Sequence, residues 1–416
     1  MNNDNELRIC RIATFPTAQS PGTGLPSYRL AADIDARTLY LTRKVPGLLS
    51  APDGVTLAAI DYPSPAFSER IEPATALIKV VGILKFFIMS IPCLLAFRPR
   101  IVHIHSPLYL PHALFARLFL RSKICYTLHG SDLVRIKRSV LLKRLLRRIV
   151  DRFFYVSRAM EKDLLAFLDE DVIHYTPNGV DRSIFKNEGL PREDIVVAVG
   201  NLRWQKGYEH LIEAFSRVRE NGWKLIVVGE GPERGKLERL IAEKRLEGIV
   251  ELVGRRNHEE IAELMNICRF FVLSSVTEGF PKVLVEAMAC GLPVVATDVG
   301  SCREVAEGAG IIVPPADPAR LSEAMLLLMN DEPMRRMLSA EAESRARRYD
   351  WLTSSRVVAS VYNELVAGVR VGLRVKTEAE DSIETSGSES TISASAGSKN
   401  TISAISQNTV DAAFKN

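Results

Sequence analysis

Two glutamates frame the run Glu278-Gly-Phe-Pro-Lys-Val-Leu-Val-Glu286. Their surroundings suit a ligand that is both phosphorylated and hydroxylated. Gly279 gives the backbone freedom to approach a ligand closely. Pro281 fits the first position of a helix, where an N–H would be orphaned anyway. The N–H groups of Lys282 and Val283 then open towards an anion. Glu286, one turn in, is placed to accept hydrogen bonds from a vicinal diol such as a ribose, and Glu278 from a second hydroxylated group. Upstream, Arg203 and Lys206 bring two cations into one loop, which would suit a diphosphate. Gly22-Thr-Gly24 offers backbone N–H groups for phosphate or sugar. The bland alternatives are a helix cap with a surface Glu, solvated loop charge and a plain turn. The apolar run Ala287–Ala296 after Glu286 favours a site.

Chemistry of this kind needs strands that deliver each loop. Arg8–Thr14, Thr38–Val45, Thr56–Ile60, Ile101–His105, Lys123–Leu128, Phe153–Ser157 and Val172–Tyr175 read as strands, with helical patterns between several of them. A second series runs through Ile195–Gly200, Lys224–Gly229, Ile249–Val253, Phe270–Leu273, Pro293–Thr297 and Gly310–Val313. Alternation of this type means βα units and parallel sheets, which bind ligands at the carboxyl ends of their strands. The glutamates, Arg203, Lys206 and the glycines all follow strands. So do His105 and His129, with Asp132 close behind. His103 and His105 share a strand face, but no third metal ligand stands near in sequence. The Asp33-Ile-Asp35 and Asp169-Glu-Asp171 triplets read as solvated acids, so no metal site is expected. Asn187–Arg192, punctuated by Gly189 and Pro191, reads as a linker. The expected domains are 1–188 and 189–352, with a helix over 353–369 returning to the first. Residues 371–416, rich in Ser and Thr, are expected to be a disordered tail.

The 416 residues carry 47% hydrophobic and 25% charged residues and a net charge of +4. That is the balance of a soluble globular protein. It argues against a nucleic-acid binder built on overall basicity. Six cysteines form no C-x-x-C, so reduced thiols in a cytoplasmic protein are expected. No secretory leader is read in Met1–Arg8. Leu77–Phe97 is apolar enough for a membrane span, but Lys79, Lys85 and Pro92 favour a buried or surface-docked helix. Arg117–Arg152 holds eleven Lys/Arg against two Asp. Two readings stand for it, a solvated basic face or a dock for an anionic membrane surface.

Glu278–Gly300, EGFPKVLVEAMACGLPVVATDVG, resembles the signature of glycosyltransferase family 4. Further matches are Gly200–Gly207, Val228–Pro232, Val253–Arg255 and Gly310–Pro315. The resemblance implies an α/β GT-B fold, two Rossmann-like domains facing a cleft. It implies a retaining, metal-independent transferase with no cofactor beyond a nucleoside-diphospho-sugar donor. The family's phosphate-binding Lys falls on Lys206. Its Arg falls on Asn201, so Arg203 is expected to stand in. His105 matches a His that approaches the donor sugar. The catalytic set is then His105, Arg203, Lys206 and Glu278. The donor-binding set is Gly22, Gly24, Gly254, Arg255, Gly279, Phe280, Pro281, Lys282, Val283 and Glu286. His129 and Asp132 would line the acceptor side, for a glycan, lipid-linked or small-molecule acceptor, in a protein expected in the cytoplasm or peripheral on the inner face of the cell membrane. An epimerase or hydrolase on the same fold, or a catalytically silent nucleotide-sugar-binding protein, is the alternative.

Overall fold

Runs of β-branched and aromatic residues alternating with amphipathic helices build two parallel sheets, each in its own unit. The computed structural model describes residues 7–17, 24–62, 73–218, 222–366 and 372–373. Gly22, and the expected tail apart from Gly372–Leu373, lie outside the described residues. The first unit comprises the chain up to Gly179 together with Asp350–Arg374, and the second includes Val180–Tyr349. The division falls before the expected boundary at 188/189, because Val180 and Phe185 are already buried in the core of the second unit.

The first unit runs β1 (Arg8–Ile12), α1 (Leu25–Asp33), β2 (Ile34–Asp35), β3 (Arg37–Arg43), β4 (Val55–Ile60), α2 (Pro73–Phe97), β5 (Ile101–Ile104), α3 (Leu110–Phe115), β6 (Lys123–Leu128), α4 (Gly130–Lys137), α5 (Val140–Ile149), β7 (Arg152–Tyr155), α6 (Glu161–Leu165) and β8 (Ile173–Tyr175). A π-helical turn, Ala116–Leu120, extends α3. The seven-stranded sheet has the order β4-β3-β1-β5-β6-β7-β8, and every pairing is parallel. Its direction of winding reverses between β1 and β5, which is where such a sheet opens a crevice.

The second unit runs β9 (Ile195–Val199), α7 (Tyr208–Ser216), β10 (Lys224–Val228), α8 (Arg234–Glu243), β11 (Val250–Gly254), α9 (His258–Ile267), β12 (Phe270–Leu273), α10 (Lys282–Ala289), β13 (Val294–Thr297), α11 (Cys302–Ala306), β14 (Gly310–Val313), α12 (Pro318–Asn330) and α13 (Glu332–Ala346). The sheet order is β11-β10-β9-β12-β13-β14, the dinucleotide-fold order, with its switch point between β9 and β12. Alternate residues of β9 enter two cores, Ile195, Val197 and Val199 on one face, Val196 and Ala198 on the other. A strand covered on both faces must be apolar throughout, which is why β9 reads as an unbroken hydrophobic run.

The chain then adds α14 (Trp351–Leu365) and β15 (Gly372–Leu373), both within the first unit. Val358, Val361 and Tyr362 of α14 share a buried cluster with Ile9, Leu30, Ile34 and Phe154, and β15 pairs antiparallel with β2. All six cysteines are unpaired.

Candidate functional site

At the switch point of the second unit, the loops after β9 and β12 are stitched together. Ser274 Oγ donates to Lys206 O at 2.9 Å and Val276 N–H to Gln205 O at 2.8 Å. Such an approach demands glycine at 207. Its φ is 62°, and a Cβ there would lie 2.2 Å from Ser274 O. The stitching carries the Lys206 ammonium onto Glu278 Oε1 in an ion pair that is mostly buried. Ser275 Oγ donates to the same oxygen at 2.9 Å, and the Thr297 hydroxyl holds Ser275 O at 2.6 Å. An ammonium has three donors, so Lys206 keeps capacity for an anion beyond Glu278. Arg203 is half-buried ahead of the turn, its carbonyl accepting from Lys206 N–H at 2.9 Å.

Glu286 is half-buried on the first turns of α10. Burial raises its pKa, while Lys282, His258 and Lys206 act in the opposite sense. Burial lowers the Lys282 pKa. A carboxylate, two lysines and an imidazole therefore gather around the start of α10. Two expectations change here. Pro281 occupies the capping position and α10 begins at Lys282. Lys282 N–H donates to Phe280 O at 3.0 Å, so that donor is already committed. Phe280 and Val283 also pack on the core, Phe280 edge-on to Tyr349 with centroids 5.7 Å apart. Both side chains are half-buried there. Gly254 ends β11, two strands from the switch point, and Gly254 O accepts from Gly229 N–H at 2.8 Å. Arg255 beside it is exposed.

The first unit gathers a second group at its own switch point. His105 follows β5, with its N–H donating to Ile12 O of β1 at 3.1 Å. Gly24 caps α1 in the left-handed region, and a Cβ there would lie 2.1 Å from Thr14 O just past β1. His105 is buried, and neither ring nitrogen has a protein partner. Its ring stacks on His103 at 4.6 Å and lies 5.9 Å from His129. Burial first, then His103, His129 and Arg11, hold its pKa well below the usual range. His103 is fully bonded, to Tyr362 OH at 2.5 Å, Thr127 Oγ1 at 2.7 Å and Arg11 Nη1 at 3.3 Å. Because Arg11 can only donate, Nδ1 must be the acceptor and Nε2–H the donor. His129 caps α4, and its N–H donates to Asp132 Oδ2 at 3.3 Å. Asp132 is 7% exposed. Burial lifts its pKa to about 6 against the bonds and charges that lower it.

Sequence reasoning gave Lys206 and Glu278 separate roles. It passed over Ser275, Thr297, Arg11 and Tyr362. The ion pair arises because Lys206 and Glu278 follow β9 and β12, which only the order of the sheet makes neighbours. Asp33, read as a solvated acid, accepts from Ser355 Oγ at 2.7 Å, and burial raises its pKa.

Two doubly wound parallel sheets, each with charged groups gathered at its switch point, are the architecture of the GT-B glycosyltransferases. Residues 42–184 match the family described as Glycosyltransferase Family 4, and residues 180–345 match Glycosyl transferases group 1. An uncharacterised glycosyltransferase of Methanocaldococcus jannaschii is 33% identical over 272 residues, covering 63% of this chain and 75% of the relative. A phosphatidyl-myo-inositol mannosyltransferase of Mycolicibacterium smegmatis is 30% identical over 301 residues, 69% of this chain and 76% of the relative. Among solved structures, a sucrose-phosphate synthase from Thermosynechococcus elongatus superposes with a TM-score of 0.73 at 21% identity, covering 86% of this chain and 99% of that one. HepE of Anabaena, in complex with UDP-glucose, gives 0.67 at 19% identity, covering 86% and 100%. The structural likenesses speak for the fold. With the sequence matches, the chain belongs to glycosyltransferase family 4.

Proposed function

We propose that this enzyme transfers a sugar from a nucleoside-diphospho-sugar to a glycan or lipid-linked acceptor with retention of configuration. The observation that carries the reading is the meeting of Lys206, Glu278 and Glu286 at the switch point of the second unit. Glu286 takes the ribose hydroxyls. Lys206 and Arg203 hold the diphosphate, and the N-terminus of α10 adds positive potential. These groups stabilise the leaving diphosphate electrostatically, the contribution a divalent metal supplies in other transferases. A metal-free reaction is therefore part of the proposal. The UDP-glucose held by HepE supports a nucleotide-sugar donor. The named activity of the phosphatidylinositol mannosyltransferase supports a lipid acceptor. His129 and Asp132 serve that acceptor, and the enzyme works at the cytoplasmic face of a membrane.

A thermal-shift screen with UDP-, GDP- and ADP-sugars identifies the donor. With that donor, Lys206→Ala is expected to cut kcat/KM by about 10- to 100-fold, the worth of a hydrogen bond between charged groups. Wild-type turnover in Lys206→Ala would refute the phosphate role. Nuclear magnetic resonance of the product anomer tests retention.

A further inference from the structure

The helices on one face of the first unit carry an apolar surface that none of the described residues covers. In α2, the buried positions Gly82, Phe86, Ser90 and Leu94 recur every four residues, a single stripe. Beside this stripe, apolar side chains of α2 stand exposed, Val80, Leu84 and Ile88 at 55–63%. α2 meets α3 through Phe87 and Phe115, with centroids 6.1 Å apart. The π-turn meets the end of α5 through Arg117, which donates to Ile149 O at 3.0 Å. The belt continues through Phe119 at 70% and Leu141 at 77% exposure. Of the twenty large apolar side chains exposed among the described residues, sixteen belong to the first unit.

The charges around this belt are nearly all positive, and the exception, Asp151, pairs with Arg117 of the π-turn at 2.9 Å. From Pro73 to Val150 the only acidic residue is Asp132, which is buried. Where α2 and the π-turn end, a pocket of about 610 Å³ opens at the amino-terminal edge of the sheet, the edge opposite the candidate active site. Arg8, Arg98, Arg100, Arg121 and Lys123 line it, with Leu95 and Phe119 at its apolar side. None of the five cations has a carboxylate partner among the described residues. Arg98 and Arg121 hold φ of 49° and 57°, a region long side chains seldom adopt.

We infer that this pocket is a binding site for the phosphate headgroups of an anionic phospholipid bilayer, with α2 and the π-turn lying in the membrane interface. A cluster of unpaired cations beside an uncovered apolar helix matches a layer that is anionic outside and apolar within. Of the basic stretch Arg117–Arg152, the proposal uses Arg121 and Lys123, which line the pocket beside the end of α2. The inference rests on the proposed placement at a membrane face and is independent of the transfer chemistry, so vesicle binding and turnover fail separately.

The test is flotation of the whole chain with phosphatidylglycerol–phosphatidylcholine vesicles and with pure phosphatidylcholine vesicles. Wild type is expected to float with the first. The triple variant Arg98→Asn/Arg121→Asn/Lys123→Gln should lose on the order of a hundredfold in partitioning, and Phe119→Ser about tenfold. Asn accepts positive φ readily, so the triple variant keeps its backbone. A charge-matched control on the second unit, Lys236→Gln/Arg239→Gln/Arg320→Gln, should partition as wild type does. Three results would overturn the proposal: no wild-type binding to anionic vesicles, equal losses in the two triple variants, or undiminished binding by Phe119→Ser.

Discussion

Asp132→Asn should stabilise the protein at neutral pH and do much less in acid. Asp132 sits 7% exposed at the start of α4. Burial is the largest influence on its carboxyl and lifts the pKa from the ordinary 3.8 to about 6. An acid whose folded pKa is raised binds more protons in the native state than unfolded. Stability is therefore lost as pH rises from the unfolded value through the folded one, between about 4 and 6. At 1.36 kcal/mol for each pH unit, the ionised side chain costs about 3 kcal/mol at pH 8 and about 1 kcal/mol at pH 4.5. The amide of Asn still accepts from His129 N–H but carries no charge to bury. Thermal melts of both proteins at the two pH values read the effect. At about 2–4 °C per kcal/mol, Asn should raise Tm by roughly 6–12 °C at pH 8 and by a third of that at pH 4.5. An equal change at both pH values would show that the carboxylate is not strained by burial. The acceptor-side role given to Asp132 adds a second readout, since the variant should flatten any activity change near pH 6.

Two further substitutions probe the scaffolds of the two sites. Gly207→Ala places a Cβ against Ser274 O at a positive φ; it should destabilise the second unit by more than about 2 kcal/mol, read as a lower urea midpoint, and separate Lys206 from Glu278, and a wild-type midpoint would refute the stitching. Tyr362→Phe removes one partner of buried His103 and should cost about 1–2 kcal/mol, seen as a Tm lower by several degrees, whereas an unchanged Tm would mean that Arg11 alone suffices.

Most strands were readable because each is a short run rich in apolar and β-branched residues between turn residues. What escaped has physical reasons. α4 opens on Gly130-Ser-Asp132, a turn composition that only its cap at His129 converts into a helix start. α11 has five residues, Cys302–Ala306, too few for periodicity to show. Gly189 and Pro191 look like linker punctuation, yet Leu190 packs on the second core. In the candidate site, the types of the glutamates and of Lys206 were legible and their pairing was not. A contact between residues 206 and 278 exists only because β9 and β12 lie side by side, which is a property of sheet order. The pocket of five cations was hidden for the same reason, since Arg8 joins the others only through the pairing of β1 with β5.

The placement of charge constrains how the proposed reaction divides its labour. Arg11 is fully buried in β1, donating to His103 and to Leu30 O at 3.3 Å, with no carboxylate among these partners. A fixed positive charge there, added to burial, keeps His103 and His105 neutral. A neutral His105 can donate or accept one hydrogen bond to a sugar hydroxyl, but it cannot carry the charge that a departing diphosphate requires. That charge must come from the second unit, where Lys206, Arg203 and Lys282 stand. Glu278 meets Lys206 directly, so an arriving diphosphate and Glu278 compete for the same ammonium. The donor that binds best is then one whose sugar hydroxyl engages Glu278 as its phosphate engages Lys206. Glu278→Gln should accordingly tighten the bare nucleoside diphosphate while weakening the intact nucleotide-sugar, a split that a purely structural glutamate would not produce.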